Sequence, residues 1–125
     1  MMPNPTFTEL APYRGYTEAI GRGVLAYQHC EACERAVFPP RVNCPHCGAT
    51  QLHWRDSAGI GTVYSATEVV ARDGAYNVVL VDLDEGFRMM STVPGVASPA
   101  IGQRVHAHVE AQQGEASRVV FEVLP

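Results

Sequence analysis

A chain of 125 residues suffices for about one ordinary domain, or one small domain with a metal-stapled appendage, and leaves no room for two full domains. Its 46% apolar and 18% charged residues, with 11 glycines and 9 prolines spread along the length, describe a globular protein without a long disordered segment. The net charge is −4 and there is no lysine; arginines stand singly at 14, 22, 35, 41, 55, 72, 88, 104 and 118, which excludes a lysine Schiff base and gives no basic stripe for a phosphate backbone.

The opening MMPNPTFTEL has neither a positive flank nor an apolar run, so no secretory signal is expected. Even the apolar VVLVDL at 78–83 meets Asp82 far short of a membrane span. These features predict a cytoplasmic protein with no membrane partner. In that compartment thiols stay reduced, and paired cysteines bind metal more often than they form disulfides.

Residues 1–23 read as an N-terminal arm and a short helix. Pro3, Pro5 and Pro12 keep residues 1–13 irregular, and YTEAIGRG at 16–23 predicts a helix with Thr17 as its cap and Gly21 and Gly23 at its end. Residues 24–55 form the cysteine-bearing segment, entered by an extended stretch from Val24 to His29 and closed by a link containing Trp54. From residue 56 to 125 the texture is β. Runs of β-branched and aromatic residues predict strands at 60–71, 75–83, 87–93, 103–111 and 118–124, with hairpin turns at Asp84-Glu85-Gly86 and Gln113-Gly114-Glu115. Val105, Ala107 and Val109 alternate with Arg104, His106 and His108, and Val119, Phe121 and Val123 repeat the pattern. Five short antiparallel strands beginning with a long one predict an OB-fold barrel, so the expected fold is mainly β: short helix, four-cysteine zinc ribbon, five-stranded OB-fold.

All four cysteines lie in CEACERAVFPPRVNCPHC at 30–47. Cys30 with Cys33 and Cys44 with Cys47 each put two thiolates on one tight turn. Four soft thiolates at tetrahedral corners suit structural zinc and leave no open position for water or substrate. Gly48 and Pro45 shape the second turn, glycine by allowing the backbone to curl beneath the metal. A rubredoxin-like iron centre or two disulfides are the alternatives from spacing alone. His29 and His46 flank the set and are expected to be bystanders or outer hydrogen-bond donors.

Other chemistry-bearing residues do not assemble into a catalytic pattern. His106 and His108 share a strand face but lack a third ligand nearby in sequence. Asp82, Asp84 and Glu85 in VDLDEG are explained by a polar strand face running into a turn. No serine stands in a nucleophile-elbow context, and no glycine loop cradles phosphate. With no free thiol and no lysine, the chain reads as a binding or scaffolding subunit rather than an enzyme.

The order QHCEACERAVFPPRVNCPHCG, a link with Trp54, GIGTVYSATEV, VVLVDLDEG and GQRVHAHVE resembles the domain-of-unknown-function 35 family over residues 14–124. The FPPR, CPHCG, GTVYS and VDLDEG stretches carry most of the likeness. The resemblance implies a rubredoxin-like zinc ribbon followed by an OB-fold. It further implies an accessory subunit, associated with acyl-CoA, that docks on a thiolase-like, aldolase or enoyl-CoA hydratase partner. The family's leading helix often carries a tryptophan, which YTEAIGRG lacks. CoA brings phosphates suited to arginine and a pantetheine arm suited to an apolar slot. Arg41 is therefore a candidate for phosphate or partner contact, and Phe38 and Tyr64 for apolar contact. The competing reading is a single-stranded nucleic-acid binder, which would want basic grooves interleaved with aromatics.

Overall fold

The computed structural model describes the backbone of residues 13–112 and 115–125 and divides the chain into two compact units, Met1–Ser57 and Ala58–Pro125. The irregular arm and the tip of the last hairpin, expected at 1–13 and 113–115, fall largely outside the described residues.

In the first unit, α1 (Tyr13–Gly21) begins three residues before the expected start. Thr17 is not its cap: it lies inside the helix, where its hydroxyl donates to the Tyr13 carbonyl at 3.0 Å. The end follows the glycine signal. Gly23 takes a left-handed φ of 78°, Val24 N–H reaches back to the Ala19 carbonyl, and Gly23 N–H to that of Ile20. This is the paired closure a helix adopts when glycine follows its last turn.

Strands β1 (Ala26–Cys30), β2 (Ala36–Val37) and β3 (Leu52–Asp56) then form an antiparallel sheet in the order β2-β1-β3. Trp54, expected in a link, is instead a strand residue facing Gln28. Its indole lies against Gly15, where an added Cβ would come within 2.5 Å of the ring, so the helix can approach β3 only because residue 15 has no side chain. Beside it, Tyr16 meets Phe38 edge to face at 5.7 Å. Burial pushes the Tyr16 phenol above its ordinary pKa.

The second unit is a curled five-stranded antiparallel sheet, a half-barrel in the order β6-β5-β4-β7-β8. Its strands are β4 (Ile60–Ala71), β5 (Gly74–Leu83), β6 (Arg88–Ser91), β7 (Arg104–Gln112) and β8 (Glu115–Val123). Val63, Val79, Val81, Val105 and Phe121 fill the inner face, while Arg104, His106 and His108 stay exposed on the outer one. The long first strand can bend because β4 and β5 shift register between Val63 and Ser65, leaving Tyr64 as an extra residue. β8 returns toward β6: Phe121 N–H donates to the Thr92 carbonyl and the Ser91 hydroxyl to that of Val119.

Between β6 and β7 the chain is held from inside. The buried Asn77 side chain donates to the Val93 and Val96 carbonyls and accepts from Val93 N–H and the Thr92 hydroxyl. No helix among the described residues is long and apolar enough to cross a membrane.

Candidate metal centre

Apart from the buried Ala19, Leu25, Ala26 and Tyr27, the first unit has a buried cluster of Cys30, Val37 and Cys44, with Cys33, Ala49 and Leu52 packed around them. Two of those three buried residues are metal ligands by type, so what would be a core is mostly a donor set.

Two turns deliver the sulfurs, and they repeat one another. Cys30 N–H bonds the Arg35 carbonyl and Glu34 N–H returns to the Cys30 carbonyl; Cys44 N–H bonds the Ala49 carbonyl and Gly48 N–H returns to the Cys44 carbonyl. The curl requires a left-handed residue four positions after the first cysteine. The second turn supplies Gly48 at φ 80°, as its sequence suggests, whereas the first places Glu34 there at φ 60°. That conformation costs a residue with a Cβ about 1–2 kcal/mol, partly offset because glycine is freer in the unfolded chain. Glu34→Gly is therefore expected to stabilise the ribbon by about 0.5–1 kcal/mol. The check is a higher chelator concentration for half-loss of metal, with the second unit's unfolding unchanged.

The four sulfurs all lie within 4.8 Å of one another, with Cys30 to Cys47 at 3.6 Å and Cys33 to Cys44 at 3.7 Å. Sulfurs about 2.3 Å from a central zinc at tetrahedral corners stand about 3.8 Å apart, so the donor set fits the ion. All four cysteines are free thiols, and no disulfide joins them.

As thiols the set is strained electrostatically. Burial, aided by the neighbouring sulfurs, pushes Cys33 up to about 12 against the N–H of Arg35. Burial also raises Cys44, but the N–H groups of His46 and Cys47 and the sulfurs of Cys33 and Cys30 outweigh it and bring it down to about 7. Close thiolates cannot all carry charge without a cation among them, and a divalent ion removes that conflict. The His46 N–H reaches the Cys44 sulfur at 3.4 Å. The His46 side chain is exposed, and His29 pairs across the sheet with His53, which itself meets Glu31 at 3.4 Å. Among the described residues the cysteines form the one cluster of at least three His, Cys, Asp or Glu donors close enough to hold a metal.

Phe38 and Arg41 belong to the first unit and Tyr64 to the second. Phe38 is half-buried against Tyr16, and Arg41 is exposed. Tyr64 is no core residue: it is 50% exposed, and the Arg88 guanidinium stacks over its ring 3.5 Å from the centroid. Arg88 is itself gripped by Asp82 through contacts of 2.5 and 3.2 Å, which raise its pKa. Arg104 holds Asp84 in the same two-pronged way at 2.9 and 2.7 Å, and that contact keeps the Asp84 carboxyl below its usual range. Glu85 caps the backbone N–H of Ala58 at 2.8 Å. The acidic cluster of VDLDEG is thus occupied in structural bonds, as its strand-and-turn context suggests.

Sequence reasoning missed Gln28. It is 4% exposed, and its side chain accepts from the Arg41 N–H at 2.7 Å and donates to the Arg41 carbonyl at 2.9 Å. The available signal was Pro39-Pro40: two residues without N–H groups cannot continue β2, so the backbone beyond them needs a partner from elsewhere.

Comparison with known proteins agrees with this architecture. Residues 17–53 match a family model described as the ChsH2 rubredoxin-like zinc ribbon domain, and residues 54–110 match the ChsH2 C-terminal OB-fold domain. A solved structure described as "Ltp2-ChsH2(DUF35) aldolase" is similar over 96% of this chain and 98% of that one, with TM-score 0.82 and 29% identity. A Sulfolobus solfataricus protein of unknown function from the DUF35 family shares the fold at TM-score 0.69 and 15% identity, over 94% of this chain and 90% of that one. A Thermomonospora curvata protein named "Probable enoyl-CoA hydratase alpha subunit" is 36% identical over 91 residues, 67% of this chain. The match spans 28% of that relative's length.

Proposed function

The chain belongs to the domain-of-unknown-function 35 family of ChsH2-type zinc ribbons joined to OB-folds, and from that premise we propose that it is a non-catalytic accessory subunit of an acyl-CoA-processing complex. In this reading the ribbon at 24–55 and the OB-fold at 56–125 dock on a thiolase-like, aldolase or enoyl-CoA hydratase partner and help bind the acyl-CoA. The observation that carries it is the similarity, over nearly the whole length of both chains, to the structure described as an Ltp2-ChsH2 aldolase. The hydratase-named relative supports the same class of partner.

The chemistry of the residues is consistent with a supporting role. A set of four thiolates closed around zinc offers no position for substrate, so its contribution is to fold the ribbon. Asp82 and Asp84 are committed to arginines. The proposed substrate contacts are Arg41 for a CoA phosphate and Phe38 and Tyr64 for the apolar arm. The nucleic-acid reading is disfavoured by charge: the stretch from Ala58 to Pro125 carries eight carboxylates against four arginines, the wrong sign for a phosphate backbone.

Affinity co-purification of the tagged protein from its native cells, with mass-spectrometric identification, tests the reading. A stoichiometric thiolase-, aldolase- or hydratase-like chain is the expected result, together with binding of a CoA thioester by the complex. Elution alone or with nucleic acid would refute it.

A further inference from the structure

Strands of the half-barrel differ in what they turn away from the core. On β7 the outward residues are Arg104, His106 and His108, the polar-out alternation of an antiparallel sheet with one side in water. On β5 that alternation is inverted. The polar Asn77 points inward, where its carboxamide is consumed by Thr92, Val93 and Val96, while Tyr76, Val78 and Leu80 point out. Strand register carries the row sideways onto both neighbours. Tyr76 stands opposite Val69 of β4 and Leu80 opposite Met90 of β6, and directly opposed residues share a face. Tyr76 is 54% exposed and Met90 69%, with Val69, Val78 and Leu80 half-buried, so the five form an apolar band across three strands. Single exposed apolar residues are ordinary, whereas a band of adjoining ones marks a contact surface. Strand propensity does not account for it, because threonine, as at Thr67 opposite Val78, suits a wetted strand face as well.

We propose that this band on β4, β5 and β6 is the surface on which the enzyme partner docks, and that it receives an uncharged, apolar protein face. Charge selects that occupant. The band ends at Asp82 opposite Arg88, which neutralise each other and leave no net charge for an ionic ligand. The unit around it carries eight carboxylates against four arginines, which repels anionic lipid and phosphate alike. Tyrosine and methionine are also the residue types enriched where one protein surface covers another. The inference rests on the accessory-subunit reading above and goes further by naming the surface, its residues and the chemistry of the partner face.

The test uses the zinc-loaded full chain and the partner enzyme that co-purifies with it, separated and recombined. Hydroxyl-radical footprinting reads the wild-type side chains directly, and methionine oxidises readily. Tyr76 and Met90 are expected to be clearly less oxidised in the complex than in the free chain. Met90→Glu and Tyr76→Glu are each expected to weaken partner binding about tenfold or more, since each puts a charge into an apolar contact. His108→Ala, on the outer face of β7, is expected to bind as the wild type does, with zinc content and circular dichroism unchanged in all three variants. Affinity is expected to hold from low to high salt, because the band carries no net charge to be screened. A partner that leaves Tyr76 and Met90 as reactive as in the free chain, binds both glutamate variants as well as the wild type, or is released by salt overturns the surface and leaves the accessory-subunit reading standing. Recovery of no partner overturns both. Protection of the two side chains in the chain alone, with a dimer in sedimentation equilibrium that Met90→Glu dissociates, assigns the band to a second copy and also overturns the proposal.

Discussion

Cys44→Ser is expected to abolish metal binding and unfold the ribbon while the second unit keeps its sheet. The buried cluster around the cysteine turns is two cysteines and one valine, too little apolar surface to hold those turns together without an ion. Structural zinc in peptides of this type contributes an apparent 10–16 kcal/mol, roughly, at neutral pH, and in such small domains the metal's binding energy is folding energy. Ala58–Pro125 has a separate core built on Phe121 and the valines of β4, β5 and β7. Three measurements check the outcome: one equivalent of zinc lost by elemental analysis, a change in emission of Trp54, which is the single tryptophan and lies in β3, and retained β-signal in circular dichroism. Retention of both zinc and the Trp54 signal would show that the ribbon does not depend on its fourth ligand. The pH dependence has a fixed sign, because the ligands are thiolates: protons compete with the metal, so the ribbon holds zinc at neutral and alkaline pH and releases it as pH falls.

Asn77→Ala is expected to destabilise the second unit by about 3 kcal/mol, because each buried polar group left unpaired costs about 1–3 kcal/mol. Truncation strips the side-chain partner from the Val93 N–H and the Val96 carbonyl and leaves the Val93 carbonyl only the Val96 N–H at 3.4 Å. Asn77→Asp should be no better. It keeps the acceptor but loses both donated bonds and buries a charge at a position 3% exposed. Urea unfolding of the full chain measures the effect, with zinc content as the control that the ribbon is untouched. A change below 1 kcal/mol would mean that water replaces the side chain's bonds.

The β-half was legible in the sequence to within a few residues: β4 lies where its run of β-branched residues places it, and β7 shows the alternation of Val105 with Arg104 and His106. Strand signals of this kind are local, since one face is buried and the period is two. The ribbon was legible at its cysteines and hardly elsewhere. β2 is two residues long and β3 has a mostly exposed pattern, so neither carries a periodic signal. Thr17 was misplaced because capping preference is weak beside the packing of the helix on Trp54, and that packing requires Gly15. Tyr64, a candidate for apolar contact by residue type, lies exposed at the irregularity between β4 and β5 with Arg88 over its ring.

By itself, then, the sequence determined the set of four thiolate ligands, the run of β-strands that follows it and the absence of lysine or spare thiol chemistry, because ligand type, spacing and strand period are properties of neighbouring residues. The tertiary structure alone decided that Gln28 grips Arg41, that Arg88 and Arg104 occupy the carboxylates of VDLDEG, and that Asn77 pins the loop after β6. Arg88 and Asp82 are only six residues apart, but the other partners stand thirteen to twenty residues apart. Polar side chains carry no periodicity that names a partner; the pairing exists only once strand register has set which donors and acceptors face one another.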